Sequence, residues 1–182
     1  MSGKQDNRFQ DFFEEAKYRT LKNSLYNYLL RKMAIKKIFK DQKPGRVLEI
    51  GSGISPVMTC SSPIIYSDLS YTAIKILKQS SHKGGYVVAD GNHLPFKAGA
   101  FSHTISSEVL EHLEDDQSAL NEMARVMHPQ GQLILTFPHR KIYYSNDDRF
   151  VVRFVLSVRL DDVAGIIKKK KRRAATNRLR PL

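Results

Sequence analysis

The chain has 182 residues, 41% of them hydrophobic, with one cysteine and a formal net charge of +12. That length builds one domain with a substantial buried core and leaves no room for a second full domain. A single cysteine excludes an internal disulfide and a cysteine-rich metal site, and Cys60 reads as a small packing residue in a reducing compartment. The polar, acidic N-terminus and the lack of a run of about 18 apolar residues predict a protein without leader or membrane span, placed in the cytoplasm. Residues 153–182 carry +8 and residues 1–152 only +4. The basicity therefore reads as a property of the tail, where KKKKRR (Lys168 to Arg173) is a solvated like-charge run; nucleic acid is expected, if at all, only through it.

In chain order, Phe9, Phe12, Phe13, Leu21, Leu25, Tyr28, Leu29, Ile35, Ile38 and Phe39 recur at helical spacing and predict two amphipathic helices, broken near Arg19 or Asn23. Pro44 and Gly45 precede an apolar run, Val47 to Ile50, the first strand. Ile64 to Tyr66, ending at Asp68, is the second; Ser70 caps a helix with Ala73, Ile74 and Leu77; Tyr86 to Ala89, ending at Asp90, is the third. Phe101 to Ser106 is a fourth strand, Asp115 to Met127 a helix, and Gln132 to Phe137 a fifth strand after the His128 to Gly131 turn. Strands alternating with helices predict an α/β fold, a doubly wound parallel sheet. Three units are expected: an N-terminal helical cap (1–44), a core (45–160) and a basic tail (161–182).

In such a sheet ligands bind at the carboxyl ends of the strands, and the acids and glycines lie there. Gly51 and Gly53 let the backbone turn sharply and approach a ligand. Pro56 occupies the third position of the G-x-G-x-x-G pattern, which argues against a dinucleotide. Glu49 can brace the loop or meet a cationic amino group. Asp68, 17 residues after Gly51, suits two ribose hydroxyls, and Asp90 an adenine amino group. An adenosine bearing a charged amino-acid tail, the shape of S-adenosyl-L-methionine, fits this constellation.

The ordered segments VLEIGSG, YSDLS, VVADGNHLPFKAGAF, SSEVLEHL and GQLILTFPHR resemble the successive motifs of class I S-adenosylmethionine-dependent methyltransferases, in particular the ubiquinone and menaquinone biosynthesis group. The resemblance spans residues 45 to about 153. It implies a Rossmann-like sheet of order 3-2-1-4-5 and assigns Glu49, Gly51, Ser52 and Gly53 to the methionine-side loop. It further assigns Asp68 with Leu69 to the ribose, Asp90 with Gly91 to the adenine, and Ser106 and Ser107 to the segment beneath the cofactor. Tyr18 and Arg19 stand where N-terminal residues cover the methionine carboxylate.

The same resemblance implies methyl transfer, here expected to a small-molecule acceptor; Glu108 and His112, just past the fourth strand, are the candidate catalytic residues, and no histidine stands at metal-ligand spacing from Asn121 or the Asp147, Asp148 pair, so no metal is expected. His112 alone also reads as a structural hydrogen-bonding residue. His139 and Arg140 follow the fifth strand at the rim where an acceptor arrives. A different class of function stays open: a degenerate, non-catalytic cofactor-binding or scaffold protein with a polyanion-binding tail.

Two departures carry expectations of their own. Only ten residues separate Gly53 from Ile64, so the helix after the first strand must be very short, starting at Pro56. Beyond Phe150 the resemblance fades, and the residues left allow at most one extra strand, from Phe150 to Leu160. The expected sheet thus has five parallel strands, an incomplete closure and an exposed edge beside the fifth.

Overall fold

The computed structural model describes residues 26–59, 62–80, 82–113, 115–138 and 153–159. Tyr18 and Arg19, the first of the two expected helices, His139 and Arg140, Cys60 and the tail from 160 onward lie outside the described residues. In order, the elements are α1 (Tyr26–Ile38), β1 (Val47–Ile50), β2 (Ile64–Asp68), α2 (Tyr71–Gln79), β3 (Gly85–Val88) and β4 (Phe101–Ser107). A 3₁₀ turn (Leu110–His112), α3 (Asp116–Val126), β5 (Met127–Pro138) and β6 (Arg153–Arg159) complete them.

The strands form one sheet in the order β3-β2-β1-β4-β5-β6. The first five are parallel, as the alternation of strands and helices predicts. β6 runs antiparallel to β5, pairing Gln132 with Arg159 through to Pro138 with Arg153. The outer edge of β5 is therefore covered rather than exposed, which corrects the open edge expected there. The extra strand falls within the Phe150 to Leu160 stretch, so six strands pair among the described residues.

Side chains alternate across each strand, and β1 feeds both faces of the sheet. Leu48 and Ile50 join Phe101, Leu120, Met123, Val126 and Leu133 beneath α3. Val47 joins Tyr28, Ile35, Ile64, Tyr66, Leu77 and Ile105 beneath α1 and α2. Both cores are closed by short helices with polar starts. Ser70 caps α2 by accepting from the Ala73 amide at 3.2 Å, and Asp115 caps α3 by accepting from Ser118 at 2.9 Å.

β5 begins earlier than expected, at Met127, because Phe101 pairs with Met127 while His103 pairs with Gln132. The His128 to Gly131 turn is a bulge inside the strand. Gly131 is required there, since a Cβ would lie 2.5 Å from Met127 Cγ and 2.9 Å from the Ser102 carbonyl oxygen.

The very short helix expected to start at Pro56 is not formed in residues 51–59, which run as turns and loop. The polar groups of the segment are taken by the core instead. Val57 and Met58 donate their amides to the Glu49 carboxylate at 2.8 and 3.1 Å. The Pro56 and Met58 carbonyls accept from the Tyr28 and Tyr66 hydroxyls at 2.9 and 3.2 Å. With Pro56 lacking an amide, few groups remain for a helical ladder. No described helix is long and apolar enough to cross a membrane.

Candidate functional site

The parallel register brings the carboxyl ends of four strands level: Ile50 lies beside Ser67 and Ser106, Asp68 beside Val88, and Ser107 beside Thr136. The candidate residues on β1 to β4 therefore gather on one rim. From β1 the chain enters the glycine loop with Gly51 at φ 67° and Gly53 at φ 55°, torsions that favour glycine. At Gly51 there is a second constraint, because a Cβ would come within 2.2 Å of Val109 Cγ2. The loop thus packs directly on the segment that follows β4.

Two hydrogen bonds tie this loop to β2. Ser52 donates its amide to the Ser67 carbonyl at 3.1 Å. Gly53 donates its amide to Asp68 Oδ2 at 2.8 Å, while Asp68 Oδ1 accepts from the Ser70 amide at 2.9 Å. The two amides fix Asp68 at the rim, and Leu69 beside it is 43% exposed, an apolar surface at the same place.

Glu49 is 2% exposed and turned to the α1 face of the sheet. Its two bonds to Val57 and Met58 realise the bracing role among the two open to it. That negative charge, after burial itself, lifts the Tyr28 phenol above its usual pKa. Asp90 closes the rim after β3. Its Oδ1 accepts from the Asn92 amide at 2.8 Å and from Asn92 Nδ2 at 3.2 Å, and Oδ2 lies 3.7 Å from His93 Nδ1. Gly91 is buried next to Ile50 and Leu113.

β4 ends on Ser106, buried, and Ser107, whose hydroxyl lies 2.9 Å from that of Thr136. Glu108 then adopts φ 59°, unusual for a residue with a side chain, and donates its amide to the Thr136 carbonyl at 3.0 Å. Its carboxylate accepts from the Thr136 hydroxyl at 3.3 Å and lies 3.5 Å from Arg31 Nη1 of α1. Glu108 is therefore held at the rim by a neighbouring strand and a helix. His112 ends the 3₁₀ turn, exposed, and Glu111 is exposed beside it. The spacing of motifs gave no sign that Arg31 and Thr136 reach Glu108 from distant parts of the chain, or that Val109 packs on Gly51.

The hydroxyls of Ser52 and Ser106 are buried and make no hydrogen bond within the protein. Among the described residues no group of three His, Cys, Asp or Glu side chains is arranged to hold a metal.

A family model described as a methyltransferase domain matches residues 48–135, from β1 to β5. A protein of Bos taurus named "Probable tRNA methyltransferase 9B" is 30% identical over 105 residues, 56% of this chain and 23% of that protein. An uncharacterized protein of Methanocaldococcus jannaschii is 30% identical over 155 residues, 85% of this chain and 58% of that one. Phosphoethanolamine N-methyltransferase 2 of Haemonchus contortus, solved with phosphomonomethylethanolamine and S-adenosylhomocysteine, superposes with a TM-score of 0.57. It is 22% identical, and the match covers 71% of this chain and 35% of that one, which establishes the shared fold. The chain spans 23% and 58% of the length of these two curated relatives.

Proposed function

We propose that this chain, which matches a methyltransferase-domain family over residues 48–135, is a class I S-adenosylmethionine-dependent methyltransferase that binds S-adenosyl-L-methionine on the rim of β1 to β4 and transfers its methyl group to a small-molecule acceptor. One observation carries the reading. The Gly53 amide and Asp68 carboxylate are hydrogen-bonded at 2.8 Å, so the loop built for close approach and the acid suited to a ribose form one continuous surface. When bound, the cofactor supplies an electrophilic sulfonium methyl; the chain's residues supply position.

In this reading Gly51, Ser52 and Gly53 give the methionine side a wall without side-chain bulk. Asp68, fixed at the end of β2 by the Gly53 and Ser70 amides, accepts from the ribose hydroxyls. Asp90 accepts from the adenine amino group, with Leu69 as apolar cover and Gly91 as clearance. Ser52 and Ser106 back the rim from beneath, both buried, and Ser107 stands next to Ser106 at the end of β4. Glu49 acts one layer below by fixing the loop through Val57 and Met58. Tyr18 and Arg19 are proposed to cover the methionine carboxylate.

Glu108 is the first candidate to hold or accept a proton from the acceptor, since it is anchored by Thr136 and Arg31 where β4 ends. His112, exposed one turn beyond, is the second. Orientation and exclusion of water account for most of the rate in such a site, so a base contributes without being indispensable.

The test is a transfer screen with methyl-labelled cofactor against pools of small amines, phenols, thiols and enols. Label should enter one class with wild-type protein and fall at least tenfold with Glu108→Gln, while S-adenosylhomocysteine still binds. Binding of S-adenosylhomocysteine without transfer to any pool would contradict the acceptor class.

A further inference from the structure

The charge of the chain is less a tail property than its ends suggest. Between Tyr28 and Arg46 there are seven Lys and Arg and one Asp, a net +6. The remainder of residues 1–152 is therefore net acidic. These cations are concentrated on α1 and the segment after it.

There the structure holds a groove of about 740 Å³ lined by Lys32, Lys36, Lys40 and Lys43, with Phe39 and Met58 in its wall. Lys32 and Lys36 stand four residues apart on α1, which stacks like charges on one side of the helix, and Lys40 and Lys43 follow in the turn beyond its end. None of the four has an ion-pair partner among the described residues. Lys32 lies 5.7 Å above the Tyr28 ring, and its charge, second to burial, helps hold His82 below the usual histidine pKa. The one acid of the segment is Asp41, exposed in the turn. Such an arrangement is stabilised by an anionic occupant that runs along the groove.

We propose that this groove binds the sugar-phosphate backbone of single-stranded RNA. The proposal goes beyond the methyl-transfer reading and does not depend on it. Lys32 and Lys36 lie about 6 Å apart along α1, and Lys40 and Lys43 extend the row into the turn after it, so the four cations line a path that the phosphates of one strand can follow. A groove of this volume takes a few nucleotides and excludes a duplex. Thr59 also lines it as an exposed hydroxyl that suits a 2′-hydroxyl between the phosphates, while Gln42 and Ser62 beside it are held by His103 Nε2 and the Pro44 carbonyl at 2.9 and 2.8 Å. The apolar residues exposed on the same helix, Leu29, Leu30 and Met33, do not line the groove, and its concave shape disfavours a flat lipid surface.

The floor of the groove connects it to the cofactor loop. Val57 and Met58 line it, and their amides are the ones that Glu49 holds at the end of β1. A strand lying in the groove therefore rests on the segment that fixes the glycine turn.

The experiment is fluorescence anisotropy of the full chain with a labelled mixed-sequence RNA of about 20 nucleotides, titrated between about 50 and 200 mM salt. The triple variant Lys36→Glu, Lys40→Glu, Lys43→Glu should weaken RNA binding at least tenfold and flatten the salt slope by about two, at about 0.7 for each lost phosphate contact. All three side chains are exposed, so the fold should persist, checked by unchanged thermal unfolding. A second variant, with Lys168 to Arg173 changed to Gln, should keep the same sensitivity to the triple change. Three results would overturn the proposal: no RNA binding at low salt, RNA affinity unchanged in the triple variant, or loss confined to the tail variant. DNA of the same sequence bound equally well would overturn the assignment to RNA, and phosphatidylserine vesicles binding through the same lysines while RNA does not would replace it with a lipid surface. Calorimetry with S-adenosylhomocysteine reads the cofactor site separately, so failure of either reading leaves the other distinguishable.

Discussion

Gly51 shows how one residue joins two distant segments. Its positive φ and the proximity of Val109 both follow from the tight turn that lets β1 stop level with β4. Gly51→Ala should therefore cost about 1 to 3 kcal/mol, from strain at φ 67° and from overpacking against Val109. Combining it with Val109→Ala should recover part of that cost in chemical denaturation, because the side chain in the way is gone. Strictly additive losses would show that Val109 is not the obstacle. Glu49 makes the complementary case: its charge is buried, yet two amides satisfy it. Glu49→Gln should cost about 2 kcal/mol by leaving one of those amides facing an amino group, and a neutral result in the same assay would remove it as the brace.

His103 gives the pH dependence. It is packed 5.0 Å from the Phe39 ring, and burial holds its pKa below the ordinary value, an effect that outweighs the opposing hydrogen bond to Gln132. In the unfolded chain it protonates near its ordinary pKa of about 6.5. As pH falls through that value, the unfolded state takes up a proton that the folded state refuses, and stability is lost. His103→Gln should lose less melting temperature than wild type between pH 7 and about 5.5. Parallel curves for the two proteins would contradict the assignment.

At the scale of elements, the strands and helices were readable where short-range signals were complete. β1 occupies Val47–Ile50 as expected, because Gly45 and Gly51 bound an apolar run. α2 and α3 begin where Ser70 and Asp115 can cap them. Removing either cap should cost about 1 kcal/mol, measured as the shift in denaturation midpoint of Ser70→Ala and Asp115→Ala, and no change in both would show that packing alone sets these helix starts. Features made by long-range contact were not readable. The segment after β1 gives up its helix because Glu49, Tyr28 and Tyr66 take its backbone groups, and only the folded sheet brings them there. β6 covers the edge of β5 through pairing that no local pattern announces. The candidate site divides in the same way: the acids and glycines follow strand ends and were visible, while the Arg31 to Glu108 pair and the Glu108 torsion arise from packing.

Across the whole molecule, the parallel sheet does one thing for function: it sets four strand ends at one level, so that residues far apart in the chain form one rim. The cofactor reading rests on that rim, and its most exposed commitment is Asp68, already bonded to the Gly53 and Ser70 amides. Calorimetric titration with S-adenosylhomocysteine tests it directly. The account predicts one binding site per chain, weakened at least tenfold by Asp68→Ala, because each charge-assisted ribose bond contributes about 1.5 to 3 kcal/mol. A folded wild-type protein that takes up no S-adenosylhomocysteine, or an Asp68→Ala protein that binds it unchanged, would contradict the account.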